Sequence, residues 1–184
     1  MSASWGTKVR YTLFGESHGT AIGIIIDGLP AGIEIDWDFI QSEMARRAPG
    51  GELSTRRQEP DQVEIQSGIY NNKTTGAPLA ARIVNQNQRS SDYGNLAQSF
   101  RPSHGDYGGW VKFDGFNDPR GGGPFSGRLT APIVFAGAII KKLLEREEIT
   151  IGAHLEQIGK VTERRFDSAD NKETLTSLTQ SAFP

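Results

Sequence analysis

From Asn85 to Leu129 the chain runs about 45 residues with no sustained helical or strand period beyond Trp110–Phe113, and then enters TAPIVFAGAIIKKLLEREE, an apolar helix pattern. This stretch is rich in Gly, Asn, Ser, Asp, Tyr and Arg. So long an irregular segment is unusual inside a compact domain, and where one occurs it is often functional. The core must therefore come from the segments on either side, and the candidate chemistry from the loop itself.

The flanking segments have clearer periods. Val9–Phe14 and Ile22–Asp27 read as strands on either side of the Gly-rich turn GESHG, the second short, apolar and β-branched as a buried strand is. Asp36 can cap a helix over Trp37–Arg47, with Trp37, Ile40 and Met44 as its apolar stripe and Pro49-Gly50 as its stop. Val63–Ile69 and Leu79–Val84 read as two further strands, joined through a turn around Asn71–Gly76. After the loop, Thr130 can cap the apolar helix and Pro132 fits its first turn. Ile133 to Ile140 is apolar nearly all round, which predicts a central helix. A strand near Thr150–Gln157 and a helix near Ser168–Ala182 follow. The mixture predicts an α+β fold, and the length of 184 residues predicts a single domain.

Composition excludes several functions. The formal charge of −2 lacks the surplus of Lys and Arg on which general nucleic-acid or membrane-surface binding depends. Without cysteine there is no disulfide and no thiolate metal site, and three histidines make a His-rich metal centre unexpected. The N-terminus has no signal-peptide core, and no apolar stretch approaches the ~18 residues of a membrane span, so a cytoplasmic location is expected.

Three segments carry candidate chemistry. Gly15-Glu16-Ser17-His18-Gly19 fits the G-x-S-x-G of a nucleophile elbow, but an elbow needs a helix after the serine, and here a strand pattern follows. A tight turn explains the two glycines; His18 between them suits general-acid work on an exposed, mobile turn. In Phe100-Arg101-Pro102-Ser103-His104-Gly105-Asp106-Tyr107, Pro102 stiffens the loop and Asp106 is close enough in sequence to orient His104 or raise its pKa. Arg120-Gly-Gly-Gly-Pro-Phe-Ser-Gly-Arg128 has the makings of an anion site: backbone N–H groups exposed by glycine, two guanidiniums and the following helix N-terminus. It is not a Walker loop, because Arg128 and Leu129 stand where Lys and Ser/Thr would be. Arg46, Arg47, Arg56, Arg57, Arg89 and Arg101 add positive charge, the first two also explicable as compensation of a helix dipole. His154 reads as structural.

Taken in order, GESHGTAIGIIIDGLPAG, RRAPG, RRQEPDQVEIQSG, KTTGAP, FRPSHGDY and RGGGPFSGRLTAPIVFAGAI closely resemble the chorismate synthase family over essentially the whole chain. The resemblance implies a β-α-β sandwich and loss of phosphate from 5-enolpyruvylshikimate 3-phosphate to give chorismate. That 1,4-elimination needs reduced FMN without net redox change, and NADPH is a candidate reductant. It implies that His18 protonates the leaving phosphate and His104 the reduced flavin. Ser17, Arg47, Arg57, Arg101, Ser126 and Arg128 would bind the anionic substrate, and Pro124, Phe125 and Ser126 would contact FMN. A homotetramer is the family's expected assembly.

Family members are about twice as long, so the resemblance reads this chain as an N-terminal half, the other half supplying a further flavin-phosphate loop, a catalytic Asp and more arginines. Three positions depart from the family. Pro124 stands where many members have Arg or His, Gly105 where Ala is usual, and Leu53 where some carry an arginine suited to nicotinamide binding. The alternative from another class is a non-catalytic remnant that binds anions or pairs with intact subunits; FMN affinity and turnover separate the two.

Overall fold

The structure, a computed structural model, describes residues 3–48, 59–86, 99–165 and 172–179. The chain gathers into two compact units, Met1–Ile139 and Ile140–Pro184.

The first unit is built on a five-stranded antiparallel sheet. Its strands are β1 (Ser4–Gly6), β2 (Arg10–Gly15), β3 (Ala21–Asp27), β4 (Val63–Ser67) and, after a small hairpin of β5 (Ile69–Tyr70) and β6 (Lys73–Thr74), β7 (Leu79–Val84). The order across the sheet is β1-β2-β3-β7-β4, so β3 is the middle strand. Register explains why: Ile22, Ile24 and Ile26 pair with Ile83, Ala81 and Leu79, and all six are buried on one face. The alternate residue Ile25 points the other way and is exposed. The sequence expectation of a buried strand therefore holds for one face of β3.

Helix α1 (Trp37–Arg47) begins as predicted, with the Asp36 carboxylate accepting from Phe39 N at 2.9 Å. It ends at Ala48, whose extended backbone (φ −61°, ψ 141°) is the conformation that a following proline imposes. Ile40 and Met44 are its buried stripe. The hairpin between β5 and β6 turns on Asn71 and Asn72, both at positive φ (47° and 60°), the geometry that suits a two-residue hairpin. Asn72 then anchors the helix, accepting from Trp37 Nε1 at 2.7 Å and donating to Ile35 O at 3.1 Å.

Among the described residues, a short helix and two 3-10 segments lie inside the stretch that lacks a period. The helix is α2 (Asp106–Lys112), which contains Gly108 and Gly109 and so has poor intrinsic helix propensity. Contact with Phe125 accounts for it: a Cβ on Gly109 would lie 2.8 Å from the Phe125 ring, so only glycine lets the ring settle there. The 3-10 segments, Arg120–Phe125 and Gly127–Leu129, lead into α3 (Thr130–Glu145). Thr130 is not the cap of that helix. Ser126 caps the preceding 3-10 turn, while Thr130 is already helical and its hydroxyl donates to Gly127 O at 2.6 Å. Nor is α3 buried all round. Ala131, Phe135, Ala138 and Ile139 face inward, and Ile133 and Gly137 are exposed.

The helical run Arg120–Glu145 does reach membrane-spanning length and hydropathy, contrary to the sequence expectation, but half of that window is buried. Gly121, Gly122 and Gly123 break the run with positive φ, and the 16 residues of α3 rise only about 24 Å against a hydrocarbon core of ~30 Å.

The second unit starts within α3, which closes in a Schellman turn: Glu148 (φ 58°) and Ile149 donate to Glu145 O and Leu144 O. The strand expected at Thr150–Gln157 does not form. Ile149, Ile151 and Leu155 alternate as a strand would, yet all are at least half exposed, and among the described residues no neighbouring strand pairs with them. Instead β8 (Gln157–Ile158) and β9 (Val161–Thr162) make a short hairpin, and α4 (Lys172–Thr179) falls inside the expected C-terminal helix.

Among the described residues Phe135 is the largest fully buried side chain. Phe135→Ala should lower the stability of the first unit by about 3–5 kcal/mol, read from urea unfolding followed by circular dichroism.

Candidate active site

The GESHG segment is the turn between β2 and β3, so Ser17 is followed by a strand and the hydrolase elbow is absent. Contrary to the expectation of an exposed turn, Ser17 and His18 are buried, at 2% and 5% exposure. The glycines of Arg120–Phe125 cover them. Gly121, Gly122 and Gly123 all have positive φ (59°, 83° and 51°), and a Cβ on Gly121 would sit 2.2 Å from His18 Nδ1. Ser17 N donates to Gly123 O at 3.2 Å, fixing one loop on the other. Three consecutive glycines are therefore required by backbone conformation and by the close approach to an imidazole.

The same loop reaches the second histidine segment. A Cβ on Gly122 would stand 3.9 Å from Arg101 Nη2 and 3.8 Å from Ser126 Cβ, and Phe125 packs on Gly105. Ser17, His18, Arg101, Ser126 and Phe125 are thus drawn around one glycine loop, with Pro124 in its last turn. His104 is exposed. Its Nδ1 bonds to Pro102 O at 2.9 Å, and since a carbonyl only accepts, this places the hydrogen on Nδ1 and leaves Nε2 to exchange a proton.

Asp106 does not orient His104. Arg101 holds its carboxylate through Nε at 2.8 Å, Nη2 at 2.9 Å and the backbone N at 3.0 Å. These bonds depress the Asp106 pKa from 3.8 to about 2, with only a minor contribution from His104. Arg120 is likewise committed, its guanidinium forked onto Asp118 at 2.7–3.1 Å. Arg120 holds the Asp118 carboxyl below its usual range, and the charge of His18 adds a smaller contribution. Burial raises the Glu16 carboxyl, and neighbouring Asp118 raises it further. Two arginines expected to serve an anion directly are therefore paired to aspartates in their own loops.

Among the described residues, Arg47 and Arg128 share one carboxylate. Arg47 Nη1 donates to Asp61 Oδ2 at 2.6 Å, and Arg128 Nη1 donates to Asp61 Oδ1. Arg128 Nε donates to Asn85 Oδ1 at 3.1 Å, and Asn85 Nδ2 in turn donates to Glu16 O and Gly19 O at 3.1 and 2.8 Å. Arg128 and Asp61 are buried, and Arg128 Nη2 is a buried donor that has no hydrogen-bond partner among the described residues. Arg56, Arg57, Arg89 and Leu53 lie outside the described residues.

A profile of the family described as chorismate synthase matches residues 9–182. The chain belongs to the chorismate synthase family. It is 52% identical over 160 residues to the chorismate synthase of Cytophaga hutchinsonii, covering 86% of this chain and 44% of that relative. Against the chorismate synthase of an Acidovorax species the identity is 54% over 158 residues, covering 85% and 43%. A crystal structure of chorismate synthase superposes with a TM-score of 0.65 at 26% identity, covering 96% of this chain and 47% of that one. The α+β reading stands, and the chain spans less than half the length of the curated relatives it matches.

Sequence reasoning missed Asp61, Asn85 and Asp118, the residues that hold the arginines. Asp61 lies inside the quoted family motif RRQEPDQVEIQSG, and its positive φ of 47° is the kind of local oddity that marks a constrained site.

Two outcomes follow. The depressed Asp106 pKa adds stability that is complete above pH 3.8 and is lost as pH falls towards 2. In Arg101→Gln the carboxyl carbon of Asp106 should titrate near the ordinary 3.8 instead of about 2, measured by NMR. Gly121→Ala should destabilise the chain by at least about 1–2 kcal/mol, from the left-handed backbone alone, and shift the His18 ring resonances.

Proposed function

We propose that this chain carries the histidine and anion-binding half of a chorismate synthase site, a carbon–oxygen lyase that eliminates phosphate from 5-enolpyruvylshikimate 3-phosphate. The observations that carry the reading are the glycine loop, which closes over His18, and a buried guanidinium nitrogen of Arg128 that has no acceptor among the described residues. Names of relatives at 52–54% identity support it.

In this reading the substrate's phosphate and carboxylates lie among Ser17, Arg47, Arg57, Arg101, Ser126 and Arg128. Because Arg101 is shared with Asp106 and Arg47 with Asp61, the least compensated donor among the described residues is Nη2 of Arg128. His18, buried beneath the loop and shielded from bulk water, would pass its proton to the oxygen of the departing phosphate. His104, exposed and with its hydrogen fixed on Nδ1, would hold or release a proton at Nε2.

The residues present offer an aromatic cofactor an apolar face beside a hydroxyl. Pro124, Phe125 and Ser126 would hold FMN, although Pro124 offers no N–H, and the half-exposed ring of Phe125 offers an apolar face. Reduced FMN, when bound, supplies electron density that it regains by the end of the reaction, with NADPH as a candidate reductant. The family's cytoplasmic setting and homotetrameric assembly are part of the same proposal.

The test is anaerobic chorismate formation by the purified 184-residue chain with the phosphorylated substrate and chemically reduced FMN. Turnover that falls by roughly a hundred- to ten-thousand-fold in His18→Ala and in His104→Ala supports the reading. A folded chain that neither turns over nor binds FMN makes it the non-catalytic member of the pair of alternatives.

A further inference from the structure

The arginines of the proposed anion site do not hold themselves in place. Two guanidiniums brought close together repel, and each long side chain has many rotamers. Here Arg47 and Arg128 converge on the two oxygens of one carboxylate, that of Asp61, whose side chain is only 4% exposed. Asn85 takes the Nε of Arg128 from a second direction, at 3.1 Å. Nη1 and Nε are then both used, and the planar fork fixes the direction of Nη2, the donor left buried without a partner among the described residues. Arg47 is tied further, its Nε donating to Thr130 Oγ1 at 3.2 Å at the start of α3.

We propose that Asp61 is the positioning residue of the anion site: its carboxylate clamps Arg47 and Arg128 so that Arg128 Nη2 is presented to a phosphate or carboxylate oxygen of the ligand. This deepens the proposed function and rests on it. Asp61 touches no ligand in this assignment and acts only through the two arginines.

A clamp and a simple charge effect predict opposite signs. Asp61 is negative, so if it merely tuned the field, Asp61→Asn would make the site more positive and bind an anion more tightly. If Asp61 positions the guanidiniums, the same change lets them splay and weakens binding despite the added positive charge. Asp61→Glu keeps the charge but pushes it one methylene further, so it should rescue little.

The experiment is titration of the 184-residue chain with inorganic phosphate at fixed ionic strength, wild type against Asp61→Asn and Asp61→Glu, with folding checked by circular dichroism. Weakening by about tenfold or more in folded Asp61→Asn is the expected result, the size of one charge-assisted hydrogen bond lost. Equal or tighter phosphate binding overturns the proposal.

If the variants do not fold, nitrogen-labelled arginine spectra of the unaltered chain decide it. The clamp requires hindered guanidinium rotation and slowed solvent exchange of the Arg128 Nε–H. Averaged, rapidly exchanging signals from both Arg47 and Arg128 overturn it. A wild-type chain that shows these hindered signals but takes no phosphate would sink the proposed function of this chain while leaving the clamp intact.

Discussion

Asp61 places one negative charge between two guanidiniums where water scarcely reaches, and four separate stretches of chain depend on that arrangement. Arg47 closes α1, Arg128 lies in the turn before α3, Asn85 follows β7, and through Asn85 the tie extends to the GESHG carbonyls. A buried ion pair adds little net stability, because desolvation offsets the attraction. Breaking one by removing a partner nevertheless costs about 3–5 kcal/mol, since a buried charge is left uncompensated. In the GESHG turn that this tie reaches, Ser17 N donates to Gly123 O and fixes the glycine loop over His18.

That placement separates the two histidines by environment rather than by type. His18 lies under Gly121, where an added Cβ would collide with the ring, whereas His104 stands on an exposed loop with one ring nitrogen held by Pro102 O. On the proposed reading, a proton donated from His18 is protected from exchange with bulk water, and one held at His104 Nε2 is open to it. The same residue type can thus serve two steps with different access to solvent, the difference being set by Gly121–Gly123 and by Pro102.

Much of this was legible in the sequence because it is local. The Asp36 cap, the β-branched apolar run of β3 and the turn beginning at Asn71 are written in neighbouring residues, and each formed where local chemistry put it. The misses are of another kind. Helix α2 contains two adjacent glycines and exists because Phe125, from a later segment, fits against it. Thr150–Gln157 has the alternation of a strand, but a strand also needs a partner, and periodicity says nothing about that. The His18 turn looked exposed because its covering loop lies about 100 residues later in the chain.

The same reasoning applies to the arginines. Counting them in loops pointed to an anion site, but a count treats each as equally available. Arg101 and Arg120 are taken up by Asp106 and Asp118, five and two residues being short enough spans for a forked guanidinium to fold back on its own loop. Arg128 instead meets an aspartate 67 positions away, and only that distant pairing leaves one of its nitrogens buried and undirected to any described acceptor. Recognition of an anion in such a site depends less on how much positive charge the chain carries than on which guanidinium nitrogens its carboxylates leave over. The overall charge of −2 is therefore no obstacle to binding a phosphate: the excess of acidic residues includes those that fix the basic ones in place.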